Sequence, residues 1–165
     1  RDLVQEGFDV ALRTGQPHES SLIGRRIGNC PRLLVASQGY LDQHPPLVHP
    51  QQLSAHRCIA HRAWNEWVLQ RDDEFYRWLL PPGHLTDNLL YARECALGDA
   101  GITLLPHFLT DGAMADPRLV PVLPEWEIEG NELWLVYPGR KLHSPALARF
   151  IEFALQSPVF RDFYR

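Results

Sequence analysis

Arg13-Thr14-Gly15 sets a guanidinium, a hydroxyl and a glycine turn at the end of an apolar run, Phe8 to Leu12. A guanidinium in that position can grip a carboxylate through two parallel hydrogen bonds. The alternative is an ion pair with Glu6 or Asp9 that merely holds the loop. Thr86-Asp87-Asn88 forms a second set, just ahead of a helical run. A helix N-terminus offers N–H groups and the positive end of a dipole to an anion. The same residue types also cap helices, and the two roles are compatible. Ser37 before a short helix, and Pro106-His107 past another apolar strand, complete the candidate contacts. Ser37 reads as a helix cap as readily as a ligand contact. His107 reads as a pH-sensitive contact or as an exposed loop histidine.

Other clusters are weaker. His56-Arg-Cys58-Ile-Ala-His61 contains metal-ligating types, but on a strand His56 and Cys58 share one face and His61 takes the other. No second Cys/His pair stands at matching spacing, so a core strand is the expectation, with no metal and no cofactor. There is no G-x-S-x-G elbow and no H-E-x-x-H, and Asp72-Asp73-Glu74 falls in an expected hairpin turn where carboxylates are solvated. Trp64, Trp67, Phe75 and Trp78 lack the basic companions of a base-stacking platform. Nothing in the chain argues for an enzyme.

The elements that would position these residues alternate between strand and helix. Asp2–Glu6 reads as a helix, and Phe8–Leu12, Leu22–Ile27, Arg32–Ala36, Cys58–Ala60, Ile102–Leu105, Leu119–Leu123 and Leu133–Tyr137 as strands. Trp67–Gln70 and Glu74–Trp78 form a hairpin about Arg71-Asp72-Asp73. Ser37 caps a helix over Gln38–Gln43, Pro50 opens another, and Leu89–Leu97 follows Asn88. Pro106 begins a helical turn running to Met114. After Ser144-Pro145, the residues Leu147, Phe150, Ile151, Ala154 and Leu155 recur at i, i+3, i+4, i+7, i+8. Alternating elements of this kind give an α/β class, in which small ligands bind beyond the carboxyl ends of strands.

The 165 residues suit one domain or two small lobes. A net charge of −4 offers no overall basic surface for nucleic acid. No apolar run approaches the roughly 20 residues that cross a bilayer, and the N-terminus has no signal-peptide core. Three widely spaced cysteines without a CxxC fit reduced thiols and a cytoplasmic location.

Two phrases, Asp2-Leu-Val-Gln-Glu-Gly-Phe-Asp-Val-Ala-Leu-Arg-Thr-Gly15 and Gly98-Asp-Ala-Gly-Ile-Thr-Leu-Leu-Pro106, resemble the effector-binding domain of LysR-type transcriptional regulators. Leu33-Leu-Val-Ala-Ser-Gln-Gly-Tyr-Leu41 is similar to the family's "lvaspaYL", His56-Arg57-Cys58-Ile59 to its "HrCl", Arg118-Leu-Val-Pro-Val-Leu123 to its "grLvpvL", and Phe150-Ile-Glu-Phe153 to its "FidF". Their order and spacing together are specific. The family's Gly-Leu-Gly reads Asp99-Ala100-Gly101 here, and the loop Arg62–Glu66 carries no recognisable ligand signature. The resemblance implies a two-lobed type 2 periplasmic-binding-protein-like fold. The first lobe would comprise about 1–30 and 124–165, incomplete at its N-terminal side, and the second about 31–123. It also implies a small, possibly anionic effector bound between the lobes and touching Arg13, Thr14, Gly15, Ser37, Thr86, Asp87, Asn88, Pro106 and His107. A homodimer or homotetramer would reach DNA only through a winged helix-turn-helix upstream of this chain. The alternative is a free-standing solute-binding protein of a transport system.

Overall fold

The computed structural model describes residues 10–17, 21–139 and 145–157. The chain divides into two units, residues 1–31 with 130–165, and residues 32–129. The expected helix at Asp2–Glu6 and the Ser144 cap lie outside the described residues. Residues 124–129, assigned from sequence to the first lobe, pack in the second unit. There Trp126 joins the core and Glu127–Ile128 pairs with Gln70 and Leu69.

In the first unit, β1 (Ala11–Thr14) and β2 (Leu22–Asn29) flank β11 (Glu132–Pro138), each antiparallel to it. Leu133, Leu135 and Tyr137 alternate toward α3 (Pro145–Gln156), whose Ile151 and Ala154 pack with Ile27 beneath them. Phe150, expected on the same stripe, lies at its rim and is 41% exposed. The expected strand stop at Arg13 is corrected. Pairing with β11 carries the strand through Arg13 and Thr14, opposite Trp134 and Leu133, and the turn comes at Gly15 with φ +79°.

The second unit is built on a five-stranded sheet. Its members are β3 (Arg32–Ser37), β4 (Cys58–His61), β7 (Leu85–Thr86), β8 (Ile102–Pro106) and β9 (Leu119–Pro121), in the order β7-β4-β8-β3-β9. Every residue of the central β8 is buried, as a strand covered on both faces must be. On one face, Leu34, Cys58, Ala60, Ile102 and Leu104 meet Tyr40 of α1 (Gln38–Asp42). Trp67 and Leu69 close the same core from β5 (Glu66–Arg71). That strand pairs with β6 (Glu74–Leu79) and β10 (Glu127–Ile128) in a separate small sheet. On the other face, Val35 and Leu105 pack with Ala92 of α2 (Leu89–Leu97). The hairpin turn expected at 71–73 is present, with Asp72 in the left-handed region at φ +53°. The strand expected over Leu119–Leu123 stops at Pro121, and Leu123 takes φ +50°.

One contact sets the sheet's register. The Gly101 backbone lies against the start of β4, and the Ile102 amide donates to the Arg57 carbonyl at 2.8 Å. A Cβ at Gly101 would sit 2.3 Å from that carbonyl oxygen. We therefore expect Gly101→Ala to destabilise the fold by about 2–3 kcal/mol, because the neighbour is backbone and cannot swing aside. Urea unfolding would register this as a lower midpoint at an unchanged slope.

Candidate functional site

The direction of each strand decides which side chains meet. β4 runs parallel to β7 and β8, with Ala60 opposite Leu85, His61 opposite Thr86, and Cys58 opposite Ile102. His61, Thr86 and Pro106 therefore end on one edge of the sheet. β3 runs the other way and brings its first residue, Arg32, to the same edge opposite Pro106.

Past that edge the chain is tied down by short polar contacts. His61 Nδ1 accepts from the Ala63 amide at 3.0 Å and caps the helical turn Arg62–Trp64. Arg62 Nε meets Asp87 Oδ1 at 3.1 Å, an exposed pair worth little by itself. The Arg32 guanidinium stands 4.9 Å from the centre of the Trp64 ring and donates to the Glu129 carbonyl. Thr86 Oγ1 accepts from the Asn88 amide at 3.1 Å, and Asn88 Oδ1 accepts from Leu90 at 2.9 Å and Tyr91 at 3.2 Å. The buried Arg93 of α2 donates to the carbonyls of Leu109 at 2.9 Å and Met114 at 2.6 Å. It thereby fixes the loop that follows β8. That loop opens with His107, half-buried and edge-on to Phe108, and the His107 carbonyl accepts from Thr110 at 2.9 Å.

The structure thus brings Thr86, Asp87, Asn88, Pro106 and His107 to a single edge. Ser37 is not among them. It is the last residue of a strand antiparallel to β8, so it lies at the opposite end, opposite Leu119. There its buried hydroxyl accepts from the Tyr40 amide at 3.1 Å and donates to Asp99 at 2.5 Å. It is a helix cap. Arg13, Thr14 and Gly15 belong to the other unit. Arg13 and Arg26 both lie opposite Trp134, so the three side chains form a row across that sheet. Glu6 and Asp9, the acids set against Arg13 in the sequence reading, lie outside the described residues.

Sequence reasoning missed His61, Arg62, Trp64 and Arg32 as a set. The available signal was that β4, like β8, ends toward the carboxyl edge, so the loop after it had to join the others. The run from His56 to His61 is structural. Cys58 is buried, which pushes its thiol up to about 12, with the Trp78 indole acting against that rise. Among the described residues no group of three His, Cys, Asp or Glu is placed to hold a metal ion. Asp72–Glu74 is not an acid pair. Glu74 instead meets His49 Nε2 at 2.6 Å.

The LysR substrate binding domain family matches residues 1–158 of this sequence. The chain belongs to that family. It is 30% identical to the HTH-type transcriptional regulator PtxR of Pseudomonas aeruginosa over 99% of this chain and 53% of that protein. To the HTH-type transcriptional activator AaeR of Escherichia coli it is 29% identical over 82% of this chain and 45% of that one. The chain spans about half the length of the curated relatives it matches. Among solved structures, the regulatory domain of AphB in Vibrio vulnificus superposes with a TM-score of 0.68 at 27% identity, over 91% of this chain and 75% of its own. The CrgA regulatory domain of Neisseria meningitidis gives 0.64 at 25%, over 93% and 76%. The fold is the type 2 periplasmic-binding-protein-like fold of those regulatory domains. Relatives of this kind favour the regulator reading over the solute-binding protein of a transporter. Among the described residues no helix is long and apolar enough to cross a membrane.

Because Asn88 holds the Leu90 and Tyr91 amides in the first turn of α2, we expect Asn88→Ala to cost about 1 kcal/mol. Asp87→Ala, which removes only an exposed ion pair, should cost less than about 0.5 kcal/mol. Chemical denaturation of both variants side by side distinguishes cap from surface charge.

Proposed function

We propose that this chain is the effector-sensing part of a LysR-family transcriptional regulator and that its effector is a small organic anion. The observation that carries the reading is the concentration of cationic and aromatic groups at the strand ends. Arg32, Arg62, Trp64, His61 and His107 share the carboxyl edge of the second unit's sheet, and Arg13 stands at the end of β1 in the first. The second unit carries Thr86, Asp87, Asn88, Pro106 and His107 with Arg32 and Arg62 at its strand ends, and the first unit, taken by itself, carries Arg13, Thr14 and Gly15. Arginine suits a carboxylate because its planar fork matches two oxygens at once, and Trp64 supplies a flat apolar surface for the rest of a planar ligand.

The reading assigns the chain a binding role without catalysis. An effector signals only where it binds one conformation of the protein better than another. Transmission to DNA would run through a winged helix-turn-helix in the same polypeptide, acting as a homodimer or homotetramer in the cytoplasm. The support for this half is the naming of PtxR and AaeR as HTH-type regulators, each about twice the length of this chain.

The test is a thermal-shift screen of the full chain against small aliphatic and aromatic carboxylates, with Arg13→Ala and Arg62→Ala in parallel. A stabilising carboxylate whose affinity falls roughly tenfold or more in Arg62→Ala is expected, the loss of one charge-assisted hydrogen bond, and Arg13→Ala tests the first unit's strand end by itself. Equal stabilisation of wild type and variants would remove these arginines from the site. Stabilisation by neutral ligands alone would overturn the anion.

A further inference from the structure

The end of the second unit's sheet away from the candidate site holds a closed cluster of three rings, Tyr40, His44 and His56. Tyr40 is 2% exposed and His56 8%. The Tyr40 hydroxyl and His56 Nδ1 are 2.9 Å apart, and the Arg57 amide donates to the same hydroxyl at 3.2 Å. The His44 ring stacks on Tyr40 with centroids 3.8 Å apart and lies 5.8 Å from His56. His44 Nδ1 is 2.7 Å from the Tyr40 carbonyl, an acceptor only, so that nitrogen carries a proton.

These partners fix the protonation of His56. The Tyr40 hydroxyl accepts from the Arg57 amide and needs an acceptor for its own hydrogen, and His56 Nδ1 lies beside it. The nitrogen facing Tyr40 is then the acceptor, and the hydroxyl gives it its single proton. A second proton on His56 would turn that contact around. The hydroxyl would have to accept from both Arg57 and His56, and its own hydrogen would be left buried without an acceptor, a costly state. His44, at the exit of α1, is the charged group that acts on His56, and Tyr40, bonded to His56, in turn faces Arg57 and Cys58 from the entry of β4. Among the described residues no carboxylate is bonded to any of the three rings, so none offers a proton on His56 a compensating ion pair.

We propose that Tyr40, His44 and His56 form a proton-operated clasp, which holds α1 and its exit onto the entry of β4 when His56 is neutral and releases them when it is protonated. The clasp is an input separate from the effector, since it lies at the opposite end of the sheet from His61, Arg62 and Thr86. Burial lowers the pKa of His56 below its ordinary value, and a charge on His44 lowers it further. The sign follows from linkage. The unfolded chain takes the proton near pH 6.5 and the folded chain only below that, so the clasp's contribution is complete above about pH 6.5 and is lost as pH falls through the folded value.

The experiment is a pH titration of the full chain followed by NMR of its labelled imidazoles and backbone amides. Expected is a His56 that is the Nε2–H tautomer at neutral pH and titrates below about 6.5. The Arg57 amide should lose its exchange protection by about tenfold or more with the same midpoint. In Tyr40→Phe the neutral imidazole loses its donor, so the His56 midpoint moves up and the Arg57 amide stops following it. His44→Gln, at an exposed position, should raise the midpoint while leaving the coupling to Arg57 intact. A His56 titrating at the ordinary value, an Arg57 amide indifferent to it, or a coupled transition unchanged in Tyr40→Phe would each overturn the clasp.

Discussion

The parallel pairing of β4 with β8 is the constraint on which the second unit depends. It is set where the Gly101 backbone meets the Arg57 carbonyl, a place no side chain can occupy. From the pairing of Cys58 with Ile102, every other position along the two strands follows. His61 and Pro106 must leave the sheet on one edge, and His56 and Asp99 must enter on the other. The antiparallel β3 then links the edges through its two ends, carrying Arg32 to the first and Ser37 to the second. Chemistry that looks scattered over seventy residues of sequence is in this way sorted to two ends of one sheet.

The two ends differ in kind. At the entry end the polar groups satisfy one another: Ser37 with Asp99, Tyr40 with His56, the Arg57 amide with the Tyr40 hydroxyl. Ser37, Tyr40 and His56 are buried, so a bond that one of them loses is expensive, although Asp99 and Arg57 themselves reach solvent. At the exit end the charged groups are exposed. Arg62 and Asp87 are open to solvent and Arg32 lies over Trp64, where salt screens them and their own pairings contribute little to stability. Under the proposed function, the exposed Arg62–Asp87 pair costs little to redirect toward a ligand carboxylate, while the entry end keeps the unit folded.

Much of this was legible in the sequence because local rules and tertiary packing agree. The helix over Leu89–Leu97 with Asn88 as its cap, the hairpin about Asp72 and the buried strand from Ile102 are read correctly because period, cap and turn residue point the same way. Ser37 was legible as a cap but was also carried among the ligand contacts, because one sequence does not show which way a short strand runs. Arg32 and Trp64 could not be paired from spacing, since a cation over a ring thirty residues away is a product of strand order. The early end given to β1 had a similar cause. Arg13 and Thr14 are polar and break the apolar run, but their backbones find partners in Trp134 and Leu133, and pairing outweighs side-chain polarity.

β4 has the clasp at one end and a candidate ligand loop at the other, which raises the question of whether a proton at His56 is felt at Arg62. The strand spans four residues, about 10 Å end to end, short enough for a rigid shift to carry across. Its ladders oppose such a shift. Cys58 and Ile59 pair with β8 on one side while Ala60 and His61 pair with β7 on the other, so sliding β4 along its axis breaks bonds in both. The groups that His56 releases, by contrast, belong to α1 and its exit, which are outside both ladders. The path of least resistance for acid opening therefore runs away from the sheet, leaving the arginine edge in place. On this geometry proton and effector act on the same unit through different ends, and their effects should add rather than couple.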